Sequence, residues 1–417
     1  MCEVSKTVKD VVDKLRNNPV FYMSLGSKEL FHSNMLAFML ENEWINGLEE
    51  LFAPHNENGK LNGYKVLTVL REKNHLDLII VFLPDNDDFK SYDRREIADI
   101  FQNSARNDES LLIKLKNNCQ FVVVENKFKS IPREEQLKEY DDTIKKTIWL
   151  RGFKVAKKND AIVLNITNTT RYLMAPKVAL DNFKECQEWK HVYYEHILEK
   201  LQAQKEWEDD RFTEKFIEYY VDFLKNMLKL TEDIEKKLDS PSNLAFPKQL
   251  DIAELSKIRI HDFYEKLWFS VLLDKIKITN EDKMELRKGS GYTRSLGLLD
   301  FKITDAKKHV GRGVQIQNLQ LRVILEPQIA IKKEDIRYEW QKIYEDNDFT
   351  NYFRDIFKKI DKKPKNEKLC KFGDFKYQYT PIDSKITIKD LSEMINSALY
   401  AIYYQSPSEN LEAKEKK

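Results

Sequence analysis

Phe121-Val122-Val123-Val124 runs directly into Glu125-Asn126-Lys127. Four consecutive apolar, strand-favouring residues read as a buried β-strand, and the residues that follow turn it polar at its end. Side chains alternate faces along a strand, so Glu125 and Lys127 point one way and Asn126 the other, with Phe121 and Val123 continuing the Glu125 face. A carboxylate therefore stands beside an ammonium where an apolar surface ends. An exposed ion pair would account for these two residues alone. It does not account for Asp77, set inside the apolar run Leu76 to Leu83, where an unpaired charge costs several kcal/mol.

The segments around this strand carry their own signals. Lys28 to Glu41 places Leu30, Met35, Leu36, Phe38 and Met39 at helical spacings, with Ser27 as N-cap and Glu29 near the start. Tyr64 to Leu70 and Leu76 to Leu83 read as two adjacent strands of a hairpin, joined by Arg71-Glu72-Lys73-Asn74-His75. The polar stretch Asp85 to Asn118, with helical patterns at Arg95 to Gln102 and Glu109 to Leu115, reads as an insertion outside the sheet. A helix from Pro132 to about Lys146 follows, and Ala161 to Ile166 is expected as the fourth strand. Trp189 to Tyr194 leads into a helix at Glu195 to Leu201, then a long amphipathic helix spans Asp210 to Lys236.

Ser240-Pro241-Ser242-Asn243 is a turn-rich break that divides the chain into residues 1–240 and 241–417. The second region alternates helices (Ile260 to Lys275, Glu334 to Glu345, Tyr352 to Lys359, Ile388 to Tyr404) with strands (Leu296 to Ile303, Val314 to Leu325), the pattern of a separate α+β domain. Gly289-Ser290-Gly291-Tyr292 and Gly311-Arg312-Gly313 read as hairpin turns, since they lack the strand-Gly-helix context of a phosphate loop. The tail Glu409 to Lys417, poor in apolar residues, reads as frayed.

Composition narrows the function classes. With 70 Lys and Arg against 69 Asp and Glu, the net charge of +1 means that any nucleic-acid contact must use a local basic patch. Lys129, Arg133, Lys138, Lys145, Lys146, Arg151, Lys154, Lys157 and Lys158 are such a cluster, either a phosphate path or a solvated face, because Glu134, Glu135, Glu139 and Asp141 interrupt them. Cys2, Cys119, Cys186 and Cys370 form no CxxC and no zinc-ligand spacing, which argues against a disulfide framework. With no apolar leader at Met1 to Lys6 and no long apolar run, the expectation is a cytoplasmic protein without a membrane partner.

Taken in order, Asp77, Glu125-Asn126-Lys127 and Gln136-Leu137-Lys138-Glu139-Tyr140 resemble the PD-(D/E)XK nuclease superfamily, with the Gln-x-x-x-Tyr of its RecB-like branch. Glu29-Leu30-Phe31-His32-Ser33-Asn34, Arg71-Glu72 and Trp189 to Tyr194 are similar to an uncharacterised bacterial group within it. The resemblance covers about the first half of the chain, and departs from the pattern in having His-Leu-Asp, without Pro, before the first acid. It implies an α/β fold of order αβββαβ, a mixed sheet flanked by helices, followed here by the C-terminal α+β domain. It further implies that Asp77 and Glu125 bind a divalent metal, Mg²⁺ or Mn²⁺, with the main-chain carbonyl of Asn126 as a further ligand and Glu29 reaching in from its helix. Lys127 would position or activate the attacking water, and Gln136 would orient Lys127 or the substrate phosphate, with Tyr140 on the same helix face. The implied activity is metal-dependent hydrolysis of nucleic acid, DNA ahead of RNA, in bacterial phage defence or restriction.

Plainer readings stand beside these. Glu29 in a first helical turn already gains from the helix dipole; His32 is as well read as a packed or capping histidine and Tyr140 as a core residue, while Glu72 stands with them as a further candidate of the site. A nuclease-like fold that grips nucleic acid or a partner protein without cutting is the rival to catalysis. The C-terminal region is expected to select substrate or to mediate self-association into a homo-oligomer.

Overall fold

The computed structural model describes residues 3–25, 28–52, 63–73, 76–84, 115, 118–128, 134–147, 149–154, 161–163, 169–180, 188–204, 211–292, 297–305, 310–327, 349–366, 368–372 and 375–404. The expected insertion, apart from Leu115 and Asn118, lies outside these residues, as do the helix expected at Glu334 to Glu345 and the C-terminal tail. The chain divides into two compact units, Lys6–Thr231 and Glu232–Lys417, the second also taking in Met1–Ser5.

The first unit is built on a five-stranded mixed sheet. Its strands are β1 (Tyr64–Lys73), β2 (Leu76–Pro84), β3 (Gln120–Asn126), β6 (Thr169–Ala175) and β7 (Trp189–Tyr193), side by side in that order. β1 to β3 are antiparallel neighbours, whereas β3, β6 and β7 are parallel. β3 is central, and its residues Phe121 to Val124 are buried on both faces, which is why the run is apolar without alternation. A parallel β3–β6 pair needs a crossover, and the helix Glu134–Thr147 lies in that connection. The strand expected at Ala161 to Ile166 is not the fourth strand of this sheet. Ala161–Val163 (β5) pairs with Trp149–Lys154 (β4) in a separate two-stranded sheet, and Thr169–Ala175 takes the place beside β3. Both runs are strand-forming; pairing partner, which local pattern does not encode, decides between them.

Helices α1 (Lys6–Leu15), α2 (Pro19–Ser24) and α3 (Lys28–Glu41) precede the sheet. α3 buries Met35, Leu36, Ala37, Met39 and Leu40 and meets β1, β2 and β3. Its last residue fixes the sheet edge: Glu41 Oε1 accepts from the Thr68 hydroxyl at 3.0 Å and the Val69 N–H at 2.9 Å, where β1 bulges between Val66 and Thr68. The crossover helix, α4, carries Asp141. Arg171 of β6 pairs with Asp141 at 3.2 Å, and the Trp189 indole N–H donates to the same carboxylate at 3.1 Å, so α4 is tied to β6 and β7. After the short helix α5 (Lys177–Leu180) and β7 comes α6 (Tyr194–Ala203). The long helix α7 (Arg211–Lys237) begins in this unit, burying Ile217, Tyr220, Phe223, Leu224 and Met227 at three- and four-residue spacings.

The second unit contains α8 (Gln249–Ser256), α9 (His261–Lys275), α10 (Thr350–Lys359), α11 (Ile388–Tyr404) and a six-stranded antiparallel sheet. Its strands β8 (Leu286–Tyr292), β9 (Gly297–Asp305), β10 (Val310–Gln317), β11 (Gln320–Pro327), β13 (Phe375–Pro381) and β12 (Cys370–Phe372) neighbour one another in that order. Ser240 to Asn243 is bonded into this unit, the Pro241 and Asn243 carbonyls accepting from Lys389 and Ile388 at the start of α11. Two expectations are corrected here. Val314 to Leu325 is a hairpin and not one strand, turning at Asn318 and Leu319, both at positive φ (54° and 53°). The glycine groups lie within β8 and β10 and not at turns. Gly313 is needed for closeness: a Cβ there would stand 2.1 Å from the Phe301 carbonyl oxygen of β9. Gly313→Ala is expected to cost about 1–3 kcal/mol through overpacking, seen as a lower midpoint in thermal unfolding; an unchanged midpoint would mean that the two strands do not approach so closely.

Candidate active site

Glu125 and Lys127 sit where β3 ends. The β2–β3 register pairs Leu78 with Val124, so one further step sets Asp77 opposite Glu125. Residues opposite each other in an antiparallel ladder face the same side. Two acids distant in sequence are thus brought together by the apolar register of their strands. Pairing with β6 continues past the last residue of β3, the Lys127 N–H donating to the Met174 carbonyl at 2.7 Å.

The ion pair is close and dry. Lys127 Nζ lies 2.5 Å from Glu125 Oε1, with the Glu125 side chain 1% and the Lys127 side chain 7% exposed. Glu125 Oε2 is buried without a well-formed hydrogen bond, and so is Glu29 Oε1. Asp77 Oδ2 accepts from the Asn126 main-chain N–H at 2.7 Å. Burial first, then the Asp77 charge, push the Glu125 carboxyl up to about 8, against the pull of Lys127 and of the nearby Tyr140 hydroxyl. Burial pushes Asp77 up to about 6, with the Asn126 N–H and Lys127 opposing and the charges of Glu29 and Glu72 adding to the rise. Negative charge is crowded here beyond what one lysine offsets.

Each residue singled out from sequence has a defined place. Glu29 is the second residue of α3, and its charge is felt at Asp77. Glu72 is exposed, with φ at 50°, near the end of β1. Gln136 and Tyr140 stand one turn apart on α4, and the Gln136 Nε2 donates to the Tyr140 hydroxyl at 2.5 Å. The described bond of Gln136 therefore goes to Tyr140, which faces Glu125, and not to Lys127. Burial, then the Glu125 charge, raise the Tyr140 phenol, keeping it a proton donor. His32 has the surroundings of a packed residue: it is fully buried, its ring 3.9 Å from Phe128 and stacked on Phe223, with Nδ1 3.0 Å from the Tyr220 hydroxyl. Of the basic cluster, Lys138 is an exposed residue of α4; the side chains of the other members lie outside the described residues.

Sequence reasoning left three contributors out: Ser33, Tyr194 and the side chain of Asn126. The Asn126 amide bonds to Ser33 and Tyr194 on the face away from Glu125. The signal was present in part, since Ser33 lies one helical turn after Glu29, but no local pattern announces a bond from Asn126 to Tyr194.

Residues 19–222 match the family model of the PD-(D/E)XK nuclease superfamily. This part of the chain belongs to that superfamily. The match identifies the superfamily and not the RecB-like branch within it. No curated protein and no solved structure matches the chain. The superfamily implies a divalent metal, and the donors present fit one. Carboxylate and carbonyl oxygens are the hard ligands Mg²⁺ and Mn²⁺ take, and two buried carboxylate oxygens without well-formed bonds are what a cation would satisfy. Among the described residues no three Asp, Glu, His or Cys side chains are grouped so that they could hold a metal ion between them. Mg²⁺ is commonly held by one or two carboxylates together with waters and substrate phosphates.

The raised acids have a stability consequence. Glu125 moves from an ordinary 4.5 to about 8 on folding, so the folded state holds that proton more tightly than the unfolded chain. Stability present below pH 4.5 is lost as pH rises towards 8. In the metal-free protein the thermal midpoint should fall across this window, and Glu125→Gln should flatten the fall. A variant whose midpoint tracks wild type at every pH would show that Glu125 carries no strained charge.

Proposed function

We propose that this chain is a divalent-metal-dependent nuclease hydrolysing phosphodiester bonds, with DNA ahead of RNA as substrate. One observation carries the reading: a buried Glu125–Lys127 pair at 2.5 Å, facing Asp77, at the end of a central strand in a PD-(D/E)XK superfamily domain. Superfamily members are in general metal-dependent nucleases. Mg²⁺ or Mn²⁺, when bound, supplies charge neutralisation at the scissile phosphate and a more acidic water. Asp77, Glu125 and the Asn126 carbonyl would supply the oxygen donors, and Glu29 would be a further one from α3. The Lys127 ammonium, paired with Glu125, is also a hydrogen-bond donor able to hold the attacking water or a phosphate oxygen. Gln136 fixes the Tyr140 phenol, which donates towards Glu125 and keeps that carboxylate turned to the site. The Gln136-x-x-x-Tyr140 pair supports a place in the RecB-like branch. The resemblance, and not the site geometry, supports a role in bacterial restriction or phage defence.

The test is turnover of mixed DNA and RNA substrates by wild type, Glu125→Gln and Lys127→Ala with Mg²⁺ or Mn²⁺. Either substitution should lower the rate by about 100-fold or more, while metal-free Glu125→Gln unfolds no earlier than wild type. Wild type that binds nucleic acid without cutting it under both metals would leave the rival, a nuclease-like binding protein.

To the C-terminal region we assign substrate selection or self-association; its own acid-lysine cluster, Asp300 and Glu326 about Lys302, is a set of ion pairs within the antiparallel sheet. Comparing residues 1–240 with the whole chain checks this. Equal selectivity and equal oligomeric state would remove both roles from that region.

A further inference from the structure

Asn126 occupies the middle of the Glu-x-Lys triad, where alternation turns its side chain away from the acids. That side chain is fully buried and fully engaged. Nδ2 donates to the Glu29 carbonyl at 3.1 Å and to the Ser33 hydroxyl at 3.0 Å, and Oδ1 accepts from the Tyr194 hydroxyl at 2.7 Å. Its main-chain N–H meanwhile donates to Asp77 Oδ2. From β3, one residue is therefore bonded to α3, which carries Glu29, to β2, which carries Asp77, and to the first residue of α6.

We infer that the Asn126 side chain is a positioning residue for the oxygen donors of the site, an inference that rests on the metal-dependent reading above. Two N–H donors and one carbonyl acceptor, held in a plane at the end of a short stem, are what these three partners require. Asp in this place presents no donor to the Glu29 carbonyl, and Leu leaves the Ser33 and Tyr194 hydroxyls without their bonds in a dry interior. With the side chain clamped on one face of β3, the main chain of Glu125, Asn126 and Lys127 has a fixed rotation, and so does the Asn126 carbonyl. The same clamp holds the first turn of α3 against the strand end, which sets how far Glu29 reaches. Hydrogen bonds of this kind, behind the donors, ordinarily carry about 10- to 100-fold in metal affinity.

The experiment titrates the full-length, metal-free chain with Mn²⁺ alone, followed by electron paramagnetic resonance, for wild type, Tyr194→Phe, Ser33→Ala and Asn126→Asp. Tyr194→Phe is the informative variant, because it deletes one hydroxyl and keeps the ring that packs on Phe128. The Mn²⁺ dissociation constant should rise about 10- to 100-fold in Tyr194→Phe and Asn126→Asp, and by a smaller factor in Ser33→Ala. At saturating Mn²⁺, kcat should fall while KM for nucleic acid stays constant. A folded Tyr194→Phe with wild-type Mn²⁺ affinity overturns the inference, and so does a lowered melting midpoint without a change in Mn²⁺ affinity, which is a structural role and nothing more. Should Asn126→Asp fail to fold, the two hydroxyl variants decide. If wild type itself binds no Mn²⁺, the metal-dependent reading fails and this inference with it; if wild type binds and the variants match it, this inference alone fails.

Discussion

An ammonium and a carboxylate buried together at the end of β3 are the constraint around which the first unit is arranged. Taking either ion out of water costs several kcal/mol, and a contact between them recovers that only with further polar partners in place. Lys127 offsets Glu125, yet Glu125 still behaves as an acid that resists ionisation, because it is buried and because Asp77 faces it from β2. The surroundings supply what the pair lacks: an N–H for Asp77 and a phenol turned to Glu125 by Gln136. The remaining mismatch is negative, which is the condition in which a cation adds most.

Holding that arrangement falls to contacts that place no acid in the site itself. The Arg171–Asp141–Trp189 contact, with the buried Leu137 and Ile144, ties down α4, which carries the Gln136–Tyr140 pair. Aromatic packing does the equivalent work on the other face, where Phe128, immediately after Lys127, lies between His32 and Tyr194. His32 belongs to this packed cluster, and its place in the sequence one turn from Glu29 follows from α3 presenting different residues to the site and to the core.

Much of the acid set was legible in the sequence because two simple rules act on it. Strand alternation puts Glu125 and Lys127 on one side, and an acid within an apolar run, Asp77, stands out against its neighbours. The helices α3, α7, α9 and α11 were legible for a similar reason, since their apolar spacing survives any tertiary context. What could not be read depends on partners distant in the chain. The choice of Thr169–Ala175 over Ala161–Val163 beside β3, Gly313 of β10 lying against β9, and the bond from Tyr194 to Asn126 are each decided by an approach between segments, which leaves no mark on either one alone. The turn at Asn318 and Leu319 escaped notice because Leu is an uncommon residue at positive φ.

The antiparallel pairing of β2 with β3 also sorts the chain's tolerance to change by place. Asp77 stands at the beginning of β2 and Glu125 at the end of β3, so both lie at one end of the sheet, while the connection from Asp85 to Cys119 joins these strands at the opposite end. Lengthening that connection alters loop-closure entropy only logarithmically and leaves the pairing register untouched. One residue added inside β2 would instead turn Asp77 to the far face, away from Glu125, and exchange the side chains that pack on the two buried faces of the strand. Growth in length is cheap at one end of this hairpin and forbidden at the other, so lineages of such a domain are free to diverge in size between the second and third strands while the spacing from Asp77 to Leu83 stays fixed.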